Sequence, residues 1–206
     1  MPRMLEFVTA KRSQEDRLAN AALFIGSHYG EPFTTTRDQW DNFKAALGSA
    51  DEERIHKALV ESPYLIQYVI DTSGHHGTWV FSKQMIKTQS SNQIPGLIPD
   101  FLVVARNSLG FSWHIIELKK PTVQFANAKG DGYSSAGHKA IAQCATYFAH
   151  FRDYIETVRS NVGVHELIQP KTVVLVIGDA ETETQHQRIC RSNFHSLTDL
   201  VRVVSY

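Results

Sequence analysis

Apolar positions along the chain change their period near residue 78. Before it they recur every three or four residues. Residues 14–28 carry Leu18, Ala21, Ala22 and Ile25 at helical spacing. Residues 36–47 carry Trp40, Phe43, Ala46 and Leu47 behind Thr36, a residue type suited to capping. Gly48-Ser49-Ala50 separates these from a third helix, 51–61, which stops ahead of Pro63 because the residue before a proline is pushed out of the helical region. Extended segments follow. Residues 78–88 read as a strand with Trp79, Phe81 and Met85, broken by the polar stretch 89–93 and Pro95-Gly96. Residues 98–106 (IPDFLVVAR) and 111–119 (FSWHIIELK) read as two more, joined across Asn107-Ser108-Leu109-Gly110 as a hairpin. The Gly/Ser-rich stretch 127–137 predicts a mobile loop, and 138–159 a helix with Ile141, Ala145, Phe148, Phe151 and Ile155 on one side. Residues 171–177 (KTVVLVI) form a continuous apolar run of the kind buried on both faces. A helix at 183–193 and a strand at 201–204 complete the order. Helix, three strands, helix, strand over 51–178 predicts an α/β fold around a mixed sheet, behind an N-terminal helical segment, 1–50.

The hairpin has a chemical consequence. Residues directly opposed on antiparallel strands have position numbers with a constant sum, and for Asp100 and Glu117 that sum is 217. The centre then falls between Ser108 and Leu109, inside the connection already assigned from turn chemistry. Opposed residues project to the same face, so the two carboxylates stand side by side. The period of two puts Lys119 on that face and sends Ile116 and Leu118 to the other. Two carboxylates held so close repel unless a cation, a shared proton or solvent compensates. Oxygen ligands are what Mg²⁺ and Mn²⁺ prefer, and the adjacent ammonium suits an attacking water or a developing negative charge. A plain salt bridge of Lys119 with its neighbours is the structural alternative, although Glu117 ends the apolar run WHII.

Composition is that of an ordinary globular chain, 42% hydrophobic and 20% charged. No apolar run approaches the roughly 18 residues needed to cross a bilayer. The first residues, MPRMLEFVTAKRSQEDR, lack a secretory apolar stretch, and Cys144 and Cys190 stand apart as structural thiols, so a cytoplasmic protein without membrane partners is expected. Formal net charge is zero, but its distribution is uneven. Residues 83–139 hold seven Lys/Arg against three Asp/Glu, and two of those three are Asp100 and Glu117. A basic surface around an acidic hole suits a polyanion bound over a divalent cation.

Ile98-Pro99-Asp100-Phe101 followed by Ile116-Glu117-Leu118-Lys119 resembles the PD-(D/E)xK nuclease superfamily. With Leu59 to Pro63, the IPDFLV strand, ELKKP (117–121) and Gln143-x-x-x-Tyr147 on the following helix, the chain more specifically resembles the Shedu family of bacterial anti-phage defence nucleases. The likeness covers roughly residues 51–178 and implies a restriction-endonuclease-like core within a nuclease domain at 51–206. It implies that Asp100 and Glu117 bind Mg²⁺ or Mn²⁺, that Lys119 is the catalytic lysine, and that Gln143 reaches the metal's water or a phosphate. Tyr147 would contact DNA or brace the site, and Lys120 and Lys129 would contact DNA. A further acid from the first core helix is also implied. Glu52 shares a stripe with Ile55 and Leu59, Glu53 with His56 and Val60; the family's spacing favours Glu53, with Glu52 the alternative. The expected activity is metal-dependent endonucleolytic hydrolysis of DNA in phage defence, by a homo-oligomer.

Other chemistries fit less well. His75-His76 lacks a second ligand pair for zinc and reads as loop histidines. His114 faces away from Glu117, and neither a phosphate loop nor a GxSxG elbow is present. Two rival readings use the same fold: a catalytically silent nucleic-acid-binding module, and a protein-interaction domain whose acids satisfy a structural network.

Overall fold

A computed structural model describes residues 14–70, 76–87 and 96–206. Its elements are α1 (Gln14–Ala21), β1 (His28–Gly30), α2 (Arg37–Gly48), α3 (Glu52–Glu61), a 3₁₀ helix (Pro63–Tyr68), β2 (Thr78–Ser82), β3 (Phe101–Asn107), β4 (Gly110–Leu118), α4 (Ser135–Val162), β5 (Thr172–Val176), α5 (Gln185–His195) and β6 (Val201–Val204). The strands make one mixed sheet in chain order. The β1–β2, β2–β3 and β3–β4 pairs are antiparallel, while β4–β5 and β5–β6 are parallel. Among the described residues no helix is long and apolar enough to cross a membrane.

Both faces of the sheet are covered, which is why its strands read as apolar runs rather than alternations. Trp79, Phe81, Leu102, Val104, Trp113, Ile115, Val173 and Leu175 pack in one layer with Cys144, Tyr147 and Phe151 of α4 and Phe194 of α5. Val80, Phe101, Val103, Ile116, Leu118, Val174 and Val176 pack in the other with Ile55, Ala58 and Leu59 of α3 and with Leu65 and Ile66. The helices start where the sequence offers caps. Thr36 and Gln39 form a capping box on α2, Asp51 accepts the Glu53 amide on α3, and Ser134 accepts the Gly137 amide on α4. α4 ends at Gly163, whose φ of 74° suits a left-handed cap, and it kinks at Tyr154.

The β3–β4 hairpin has the expected register: Phe101 faces Ile116, Arg106 faces Phe111, and Asn107 faces Gly110. Asn107 Oδ1 accepts the Leu109 amide at 2.8 Å, the local bond that makes this residue a turn former.

Three expectations change. The helix of 14–28 stops at Ala21; Gly26 takes φ 84°, and residues 28–30 join the sheet as β1, so the N-terminal segment is not helical throughout. Leu18 (64% exposed) and Ile25 (89%) face solvent, while Phe24 packs edge-on to Trp79 and Trp113. The strand expected over 78–88 ends at Ser82, because Lys83 adopts φ 47° and turns the chain. Met85 is consequently exposed, and residues 88–95 lie outside the described residues. The loop expected over 127–137 ends at Ser134, because α4 already begins at Ser135; Ala126 bridges Tyr133, and Asn127 accepts the Gly130 amide and donates to Asp131.

Candidate active site

Asp100 immediately precedes β3, and the Phe101–Ile116 pairing carries it opposite Glu117. Glu117 alternates with Trp113 and Ile115 and therefore faces α4. Asp100 Oδ2 accepts the Leu118 amide at 2.8 Å, a side-chain to main-chain bond from the entry of β3 to the end of β4. Lys119 follows β4, its amide continuing the parallel ladder to the Val176 carbonyl at 2.8 Å. That keeps its side chain on the Glu117 face, where Nζ donates to Glu117 Oε1 at 2.6 Å and to Gln143 Oε1 at 3.2 Å. Gln143 Nε2 donates to the Tyr147 hydroxyl at 2.6 Å, and that hydroxyl donates to the Ile98 carbonyl at 3.3 Å. Gln143 and Tyr147 lie one turn apart, so a single face of α4 ties the end of β4 to the segment entering β3. Of the residues chosen from the sequence, Asp100, Glu117, Lys119, Gln143 and Tyr147 are thus brought together.

Charge is poorly solvated here. Glu117 is 4% exposed, and its Oε2 has no hydrogen-bond partner. Burial first, and the Asp100 charge second, push the Glu117 carboxyl above its ordinary range, with the Lys119 ammonium pulling it back. Burial also raises Asp100, opposed by the Leu118 amide and by the charges of His56, Lys119 and Lys83. Burial works against the Lys119 ammonium, but Glu117, Glu52 and Asp100 more than offset it and hold its pKa high. The Tyr147 phenol is raised by burial and by Glu117. Cys144 is pushed up to about 12, mainly by burial, so it is an inert core thiol.

The two candidate acids of α3 separate. Glu53 points outward, its side chain 72% exposed, and pairs with Lys83 Nζ at 2.5 Å. Lys83 lowers its pKa. Glu53, favoured by spacing, is therefore turned away from Asp100. Glu52 is half-buried, raised by burial and by the Asp100 charge, with Lys119, Lys120 and Lys83 opposing. It is the helix acid that faces the site.

The sequence reading missed His56. It is buried, its ring stacks on Phe101 at 4.4 Å, and its Nε2 lies 3.3 Å from both the Asp100 carbonyl and Ser82 Oγ. Burial lowers its pKa, opposed by the hydrogen bond to the Asp100 carbonyl and by the Asp100 charge. The signal was present: His56 stands four residues after Glu52 on α3. Lys83 is a second addition, since its amide also donates to the Asp100 carbonyl, at 2.9 Å. Lys120 and Lys129 are exposed, Lys129 within the loop before α4. His114 faces Ser112 and Thr172 on the opposite side of β4, as its position requires. His75 lies outside the described residues, and His76 is exposed.

Fit to a divalent cation is a question of donor type and number. Among the described residues no three acidic, histidine or cysteine side chains converge as a ready metal group. Asp100 and Glu117 nonetheless offer a pair of carboxylates with one orphaned buried oxygen, Glu117 Oε2, and Glu52 stands beside them. Two carboxylates, with water and a substrate phosphate filling the remaining positions, is an arrangement Mg²⁺ accepts. Compared with known proteins, the chain matches no family model, and no curated protein matches it.

Proposed function

We propose that this chain is a Mg²⁺- or Mn²⁺-dependent endonuclease that hydrolyses phosphodiester bonds of DNA. The observation that carries the reading is the convergence of Asp100, Glu117 and Lys119 at one end of the central strands β3 and β4, with Gln143 hydrogen-bonded to Lys119. The element order around these residues supports a restriction-endonuclease-like core. Asp100 and Glu117 hold the cation, and Glu52 completes the acidic set. When bound, the cation acidifies a water and offsets charge on the phosphoryl oxygens. Lys119, drawn toward Glu117 and Gln143, presents its ammonium where a water attacking phosphorus is oriented. The attacking water forms a new P–O bond and gives up a proton to solvent as the backbone P–O bond breaks, and the leaving oxygen takes a proton from solvent. Lys120 and Lys129, both exposed, supply positive charge for backbone phosphates. Tyr147, through Ile98 and Gln143, braces the site. A role in anti-phage defence and a homo-oligomeric assembly rest on the resemblance to Shedu nucleases.

A nicking assay on circular and linear DNA with Mg²⁺, Mn²⁺ or EDTA tests the proposal, with Lys119→Ala as control. Metal-dependent cutting lost in the variant is the expected result. One observation favours a catalytically silent nucleic-acid-binding module instead: Asp100 Oδ2 and Glu117 Oε1 already have donors within the protein. DNA binding without cutting under any metal would establish that reading; neither binding nor cutting points to an interaction domain.

A further inference from the structure

The alternation that turns Glu117 toward α4 turns His114 the other way, and a second polar site gathers around it where β5 and β6 begin. His114 alternates with Ile116, and Thr172 with Val174, so both project to the α3 side of the sheet. Arg202 is the register partner of Val174 and stands between Val201 and Val203 of the α4 layer, which places it on the α3 side as well. His114 is buried and pairs in register with Thr172, its Nδ1 3.3 Å from Thr172 Oγ1. With Lys171, His195 and Thr198 these residues line a cavity of about 470 Å³, in which Asp199 is the one acid. Small-molecule sites occupy roughly 300–1,000 Å³. Glu117 stands three residues further along β4, about 10 Å away, and on the opposite face.

Donors dominate the lining. Lys171 and Arg202 carry full positive charge against the single carboxylate of Asp199. His195 Nε2 accepts the Val203 amide at 3.0 Å, so the neutral ring bears its proton on Nδ1, as a further donor. Thr198 Oγ1 accepts the Leu200 amide at 3.1 Å, which leaves its hydroxyl proton to give. Phosphate oxygens only accept, and their bonds from ammonium and guanidinium groups are the strong, charge-assisted kind. We propose that this cavity binds a small phosphomonoester of the size of a nucleoside monophosphate. Lys171, Arg202 and Thr198 hold the phosphate, and Asp199, which is exposed, accepts a hydroxyl of the sugar. A DNA strand fits less well, because its phosphodiesters carry one charge each and a strand bound over Asp100 and Glu117 lies on the other face. The site stands apart from the proposed cation site and does not depend on it.

The test is calorimetric titration of the full chain in EDTA, which removes metal-bridged binding at Asp100 and Glu117. The probes are AMP, inorganic phosphate, adenosine and a single-stranded oligonucleotide. AMP is expected to bind at one site per chain, and adenosine at least about tenfold more weakly. Lys171→Gln and Arg202→Gln should each weaken AMP at least about tenfold, whereas Lys119→Met should leave it within about twofold. Asp199→Asn should weaken AMP and not inorganic phosphate. Lys171 is exposed, so Lys171→Gln with an unchanged unfolding midpoint decides the matter if Arg202→Gln does not fold. AMP that fails to bind, binds no better than adenosine, or binds Lys171→Gln as tightly as wild type overturns the inference. So does an oligonucleotide whose binding, in place of that of AMP, is lost in Lys171→Gln. Any of these failures leaves the nuclease reading standing, since metal-dependent nicking does not call on this cavity.

Discussion

The Leu118 amide donates to Asp100 Oδ2 at 2.8 Å, so the main chain of β4 carries part of the carboxylate that precedes β3. This bond fixes which way Asp100 points before any ligand arrives. It also sets Asp100 against Glu117, where each carboxylate disfavours ionisation of the other. Such an arrangement trades stability for function.

Asp100→Asn should expose that trade. The amide oxygen still accepts from Leu118, while one of two repelling charges is gone. The metal-free unfolding midpoint is expected to stay level or rise, and DNA cleavage to fall at least about a hundredfold. Calorimetry paired with a nicking assay reads both. A midpoint that drops sharply would mean the Asp100 charge is structural.

Stability should depend on pH with a definite sign. Asp100, Glu117 and Glu52 all have folded pKa values above the ordinary carboxylate range. Their protonated forms are therefore favoured by folding. The contribution is fully present below the unfolded value of about 4 and disappears as pH climbs through the raised folded values. In EDTA, the wild-type midpoint should fall relative to that of Asp100→Asn/Glu117→Gln between about pH 4 and neutrality. Mn²⁺ uptake should strengthen over the same range, because the carboxylates must lose protons to bind it. Parallel curves for the two proteins would refute the electrostatic account.

Lys119→Met keeps the aliphatic stem and removes the ammonium that faces Glu117. Glu117 is then buried without its donor, a loss of about 1–3 kcal/mol, limited by the ability of Glu117 to protonate. Lys119→Arg should not restore cleavage, since a planar guanidinium does not reproduce a compact ammonium between Glu117 Oε1 and Gln143 Oε1. Denaturant unfolding and a cleavage assay on both variants check this.

Neighbouring acids on α3 should behave differently. Glu53 is exposed and paired with Lys83, so Glu53→Gln should leave cleavage within about twofold and the unfolding midpoint unchanged. Glu52→Gln should lower cleavage at limiting Mn²⁺, with recovery as Mn²⁺ is raised. The reverse ranking of the two variants would assign the site to Glu53.

Gly137 tests the placement of α4. A Cβ there would stand 2.4 Å from the Phe125 carbonyl oxygen, a backbone atom that cannot move aside cheaply. Gly137→Ala should cost about 1–3 kcal/mol and displace the helix that carries Gln143. Loss of cleavage greater than the loss of folded protein would report that displacement.

The sequence by itself determined the hairpin. Side-chain period two, the turn residues around Ser108 and Leu109, and the apolar runs on both strands leave little freedom in register, because a one-residue slip would exchange the two faces of each strand. Asp100, Glu117 and Lys119 were therefore legible together, as was the cap at Thr36. Tertiary structure decided what local pattern leaves open. Glu52 and Glu53 are adjacent on one helix, and their roles separate only because Lys83, thirty residues away, draws Glu53 outward from a backbone turn with φ 47°. Phe24 leaves the expected helix for an aromatic cluster built from β2 and β4. His56 becomes a support for Asp100, and Tyr206 comes to pack beside Leu118, because the sheet brings distant segments into contact. Periodicity reports which way a side chain faces; which partner it meets there is a property of the packed fold.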